Sequence, residues 1–191
     1  MAEIEQILID ACMEHMPSVN DAGKVYKDPR AQLIVGDVFA YVQETELKFD
    51  AVIIDSTDPI GPGEKLFSNE FYKNIVKILN ENALISMQAG IPQFQPGEVR
   101  TTLRGLKDVG LNASCYIASV PTYYGGYMTS GFEALNTAWS LPDLEEIDQR
   151  FKEACIRTKH YSPTMHHASF VLPPWIEEDI NIKSNKKEEA A

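Results

Sequence analysis

The chain has 191 residues, with 17 Lys and Arg against 28 Asp and Glu, a net charge of −11, and is 44% apolar. That length suits one domain with a sizeable core, and the acidic balance supplies no basic footprint for nucleic acid or an anionic membrane, while a cationic ligand would be drawn in. No run is long and apolar enough to span a bilayer and no signal peptide is read; Cys12, Cys115 and Cys155 form no CxxC pair, so neither zinc nor a disulfide framework is expected, and the expected compartment is a reducing cytoplasm.

The first predicted element is a helix in "EIEQILIDACMEHM", where Ile4, Ile7, Leu8, Ala11 and Cys12 fall at helical spacing. A turn-rich stretch, "PSVNDAGKVYKDPR", leads to a short strand, "AQLIVGD", and a short helix around "VFAYVQET". The apolar run "FDAVIID" predicts a buried strand, apolar along its length as central strands of parallel sheets are. Ser68 is placed to cap a helix in "NEFYKNIVKILN", with Phe71, Ile75, Ile78 and Leu79 on one face. A strand in "NALISMQ" follows, then a helix in "PGEVRTTLRGLKDVG" with Pro96 near its start and Gly110 past its end. Two β-rich runs around Gly125 and Gly126 predict an antiparallel pair, and a helix near "LPDLEEIDQRFKEACIR" follows. Residues 1–176 thus read as one domain without a dividing linker, and 177–191 as a charged, unstructured tail.

Alternating helices and strands predict an α/β, doubly wound sheet with an antiparallel pair towards the C-terminus. In such sheets ligands sit at the carboxyl ends of the strands. The stretch "DSTDPIGPGEKLF", Asp55 to Phe67, follows "FDAVII" at that end. As turn builders, Asp, Ser, Thr and Pro explain it equally well. As chemistry, Asp55 and Asp58 would stand at the sheet end where ligands usually bind. The opening helix has no strand or glycine-rich turn before it, so the chain is expected to start one supersecondary unit late.

Four blocks, "DPRAQLIVGD", "VIIDSTDPIGPGEKLFSNEFY", "VPTYYGGYMTSGF" and "HHASFVLP", resemble in order those of spermidine synthases, the polyamine aminopropyltransferases. The resemblance runs from about Ala2 to Trp175, and "PTYYGGYMT" is most similar to bacterial putrescine-using members. It implies a Rossmann-like, methyltransferase-type core, N-terminally truncated here because the family's N-terminal β-domain and "GGGDG"-type loop have no counterpart. It implies aminopropyl transfer from decarboxylated S-adenosylmethionine, a co-substrate and not a cofactor, to putrescine, giving spermidine and methylthioadenosine. The full-length form is expected to be a dimer or tetramer. A diamine is protonated up to about pH 10 and has no lone pair until a base acts. The resemblance makes Asp55 that base, Asp58 the holder of an ammonium, and Tyr123 an aromatic beside the amine, able to bond and orient Asp55. Gln88 is a further substrate-site candidate. For the nucleoside it implies Glu3 on the ribose hydroxyls and Asp37 on the adenine amino group, with Pro62 and Leu66 walling the adenine. Val38 departs from the glycine usual after that Asp. His166 and His167 have no third ligand at metal spacing, and no metal is expected. A non-catalytic remnant or regulatory subunit pairing with a full-length homologue is the alternative; a methyltransferase on the same core ranks below it, for want of an Asn-Pro-Pro-type loop.

Overall fold

The computed structural model describes residues 1–123, 126–134 and 142–181. The chain divides into two compact units, 1–47 and 48–191, at a place where no linker composition marks the boundary.

In the first unit, strand β1 (Ala2–Glu3) pairs in parallel with β2 (Ile34–Val35), Glu3 opposite Val35. The chain therefore begins in a short strand and not in the helix expected from periodicity; two residues are too few to show a pattern. Helix α1 (Gln6–His15) follows. The apolar stripe expected at Ile4, Ile7 and Leu8 is exposed in this unit, Ile7 at 75%, and Ile9 is the residue buried. The inward face is set by Asn20, whose side chain donates to the Cys12 carbonyl (2.8 Å) and accepts from Gly23 N (2.8 Å). Gly23, at φ +80°, sits so close that a Cβ there would lie 3.2 Å from Met13 Sδ. Ile9, Cys12 and Met13 consequently face the turn, one residue out of phase with the expected stripe. Helix α2 (Val38–Glu44) is capped by Asp37, which accepts from Phe39 N (2.9 Å).

The second unit holds a four-stranded sheet of β3 (Phe49–Ile54), β4 (Leu79–Gln88), β5 (Ser114–Ser119) and β6 (Tyr127–Ala134), in the order β3-β4-β6-β5. β3 runs parallel to β4, while β6 is antiparallel to both β4 and β5, as the two β-rich runs predicted; Gly125 of the predicted turn lies outside the described residues. β3 was expected to be central and covered on both faces. In this sheet it is the edge strand, and Ile53 is 80% exposed. Phe49, Val52 and Ile54 are half-buried and Ala51 and Ile53 exposed, so its apolar run is not sealed in the core, and among the described residues β4 is its one strand neighbour.

Helices α3 (Asn69–Lys77) and α4 (Glu98–Asp108) build the core. Ser68 caps α3 as predicted, accepting from Phe71 N (3.2 Å). Phe71, Tyr72 and Ile75 of α3, Val99, Leu103 and Leu106 of α4, and Ile85 and Met87 of β4 are all at most 3% exposed. Each such side chain removed from water stabilises by roughly 1.5–3 kcal/mol. Gly131 lets α4 approach the sheet, since a Cβ there would lie 3.3 Å from Thr102 Cγ2. The chain continues through α5 (Leu144–Glu153), α6 (Pro163–Ser169) and α7 (Pro174–Asn181). The helix predicted from Leu141 to Arg157 is thus shorter, and Leu141 lies outside the described residues. The expected tail boundary at 177 falls inside α7, which Ile176 (0% exposed) and an Arg100–Asp179 ion pair (3.2 Å) fix to the unit; the rest of the predicted tail, 182–191, lies outside the described residues. Among the described residues no helix is long and apolar enough to cross a membrane.

Candidate active site

Ile54 pairs with Met87, so Asp55 and Gln88 are the residues at the common carboxyl end of β3 and β4. Three features shape the loop that Asp55 opens. Gln88, 7% exposed, donates through Nε2 to the Ser56 carbonyl (3.4 Å) and accepts through Oε1 from Gly90 N (2.9 Å). Gly63 permits the chain to fold back, for a Cβ there would lie 2.6 Å from Thr57 Oγ1 and 2.8 Å from the Asp58 carbonyl oxygen. Gln95 then ties the loop to the segment after β4: its Nε2 donates to Asp58 Oδ2 (3.0 Å) and its Oε1 accepts from Ile91 N (2.7 Å). Thr129 fixes that second segment from β6, its hydroxyl donating to the carbonyls of Ala89 (2.8 Å) and Gly90 (3.1 Å).

On this frame Asp55 and Asp58 are exposed, and no cation among the described residues pairs with either. Two polar atoms at the same end of the sheet, Ser56 Oγ and Glu98 Oε1, are buried with no hydrogen-bond partner. Such orphans are few in native proteins and call for a cause. Burial and the nearby Asp58 charge raise the Glu98 carboxyl above its ordinary range. The arrangement is an acidic, donor-poor mouth that can accept hydrogen bonds and neutralise positive charge.

Of the other site residues, Tyr123 lies in the turn after β5, 48% exposed, with its amide bonded to the Val120 carbonyl (3.0 Å). Among the described residues its hydroxyl makes no hydrogen bond to Asp55. Pro62 is exposed and Leu66 half-buried, both in the 3₁₀ segment Gly61–Phe67 that closes the loop. In the first unit, Glu3 ends β1 half-buried, its Oε1 accepting from Glu5 N (3.0 Å), and Asp37 follows β2. Glu3 and Asp37 thus stand at the same, carboxyl end of their parallel pair. His166 and His167 lie in α6, and among the described residues no group of three metal-ligating side chains forms.

Sequence reasoning missed Gln95, Glu98 and Gly90. "QFQPGE" reads as the approach to a helix, and only the topology brings it beside Asp58. The usable signal was its position: it follows β4 at the same sheet end as the carboxylate loop.

Residues 1–141 match the family described as "Spermine/spermidine synthase domain". The chain is 37% identical over 176 residues to a polyamine aminopropyltransferase of Ruegeria sp. (strain TM1040), covering 92% of this chain and 61% of the relative. It is 38% identical to polyamine aminopropyltransferase 1 of Pseudomonas aeruginosa, covering 97% of this chain and 64% of the relative. The chain therefore spans somewhat over three fifths of those relatives' length. Among solved structures, a spermidine synthase in complex with the transition-state analogue AdoDATO superposes with a TM-score of 0.81 at 24% identity, covering 94% of this chain and 59% of that one. Spermidine synthase from Thermotoga maritima gives 0.78 at 21%, covering 95% of this chain and 59% of that one. Both likenesses establish the Rossmann-like fold.

Proposed function

The chain belongs to the spermine/spermidine synthase domain family, and from that premise we propose that it serves aminopropyl transfer from decarboxylated S-adenosylmethionine to putrescine. The observation that carries this reading is the exposed carboxylate pair, Asp55 and Asp58, braced from beneath by Gln88 and from the side by Gln95. A dication needs carboxylates, and one of its ammonium groups must lose a proton before its nitrogen can attack.

In this reading Asp55 takes that proton. The freed lone pair attacks the methylene next to the sulfonium, a C–N bond forms, and the C–S bond breaks with its electrons going to sulfur. Spermidine and methylthioadenosine result, and no cofactor takes part. Asp58 anchors an ammonium and holds the amine in line. Tyr123 brings a phenol to the amine side, and Gln88 lines the site while fixing the Ser56 carbonyl. Glu3 takes the ribose hydroxyls and Asp37 the adenine amino group; Pro62 and Leu66 give the base apolar contacts. We propose likewise that the full-length form works as a homo-oligomer, a dimer or tetramer, in the cytoplasm.

The test is methylthioadenosine release by the purified chain given decarboxylated S-adenosylmethionine and putrescine. Release that needs both substrates supports the reading. A second reading, a subunit that pairs with a longer homologue, rests on the free edge of β3 and its 80% exposed Ile53. That reading is supported if the chain alone releases none but binds such a homologue and changes its rate.

A further inference from the structure

Glu98 has no part in the chemistry above, yet its place is unusual. It opens α4 at the same sheet end as the carboxylate loop, with Oε1 buried and without a hydrogen-bond partner. Its carboxyl group lies against Gly90: a Cβ on Gly90 would come within 2.8 Å of both Glu98 Cδ and Oε2, and within 3.0 Å of Gln95 Oε1. Gly90 also takes φ +79°, so both its backbone and its lack of a side chain leave room for that carboxyl. Gln95, one turn earlier, occupies one oxygen of Asp58. Among the described residues, no lysine or arginine pairs with Asp58 or Glu98, and Arg100, the nearest cation in sequence, is engaged by Asp179. Two carboxylates so placed, one of them partly buried, repel each other and lack compensation.

We propose that Glu98 is a specificity-determining residue that, together with Asp58, receives the distal ammonium of the diamine. The inference rests on the aminopropyl-transfer reading and assigns it a second amine contact. An alkylammonium carries three N–H donors and accepts nothing. It would supply a donor to the partly buried Glu98 carboxylate and the missing positive charge to the pair. An acceptor with an apolar far end would leave Glu98 as unsatisfied as it stands, so the pair selects diamines over monoamines. Gln95 acts on this contact indirectly, by holding Asp58 in place.

The test is calorimetric titration of the purified full chain, saturated with methylthioadenosine, with putrescine and with butylamine, which has the same carbon chain but one amine. Glu98→Gln keeps the shape and removes the charge. It should weaken putrescine about tenfold, the size of one charged hydrogen bond, and leave butylamine unchanged. Glu98→Asp should recover part of the putrescine affinity. Unchanged putrescine binding in Glu98→Gln, or equal losses for both amines, overturns the inference while leaving the site reading standing. An unaltered chain that binds methylthioadenosine but neither amine overturns the amine site itself, and the inference with it.

Discussion

The loop after β3 and the segment around α6 both gather the kinds of side chain from which sites are made, yet they differ in one physical respect. Around α6 the groups gathered about His166 are spent on one another. The Tyr161 hydroxyl meets His166 Nδ1 at 3.1 Å, and the Ser169 hydroxyl donates to the His166 carbonyl. The rings of Phe151, Tyr161, His166 and Phe170 follow one another at 5.5–5.8 Å, and Phe170 packs on Tyr116 and Phe132 of the sheet. Around Asp55 the frame is equally well bonded, but Asp55 and one Asp58 oxygen are left open and Ser56 Oγ and Glu98 Oε1 are orphaned. A cluster that satisfies itself packs the fold; one that leaves acceptors unsatisfied on a rigid frame is ready for a ligand.

The sharpest way to break that contrast is Asp55→Asn. Loss of the base should lower kcat at least ~100-fold with the thermal midpoint unchanged, because no cation among the described residues pairs with Asp55. A near-normal rate, measured as methylthioadenosine release, would remove Asp55 from the mechanism. Asp58→Ala should follow, weakening putrescine ~10–100-fold by titration while nucleoside affinity stays put. Equal loss of both would mean that freeing Gln95 collapses the loop instead.

Much of this was legible in the sequence, for reasons that residues make plain. Ser68 and the face of Phe71 and Ile75 announced α3, because capping and amphipathic spacing are local. Asp55 and Asp58 were legible because a polar loop directly after an apolar strand marks a sheet end. Three things were not. β1 is two residues long and owes its existence to pairing with Ile34 and Val35, a contact remote in sequence. The edge position of β3 depends on sheet order, which the composition of one strand does not encode. Glu98 and Gln95 look like helix-start residues, and only the parallel pairing of β3 with β4 carries them to Asp58.

A smaller effect tests whether an orphaned polar group by itself signals function. The Tyr72 hydroxyl is also buried without a partner, and burial alone pushes its phenol pKa up. It lies between α3 and α4, where a Cβ on Gly105 would come 2.5 Å from Tyr72 Cε2. Nothing there is open to a ligand, so Tyr72→Phe should leave turnover intact and stability equal or higher by about 1 kcal/mol in denaturant unfolding. Gly105→Ala should instead destabilise, since overpacking costs about 1–3 kcal/mol and the helix gains at most about 1 from the alanine. Lost turnover in Tyr72→Phe would place functional weight on a group that here belongs to packing.

The smallest expected effect lies in the self-satisfied cluster. His166 has its pKa lowered from 6.5, first by burial and then by the neighbouring His167. The folded state therefore takes up a proton less readily than the unfolded chain. Its contribution is fully present above pH 6.5 and is lost as pH falls from there through the lower folded pKa, the unfolded chain binding the extra proton. His166 faces Tyr161, Phe170 and His167 and no carboxylate pairs with it among the described residues, so nothing there rewards the charged form. His166→Phe keeps a ring against Phe170 and removes the titration; the Tyr161 hydroxyl, on a residue 39% exposed, can turn to water. Thermal midpoints measured from neutral to mildly acidic pH should fall more steeply for the unaltered chain than for the variant. Parallel slopes would mean that His166 is protonated as easily in the fold as outside it, and that the cluster tolerates a charge which its aromatic packing is argued to exclude.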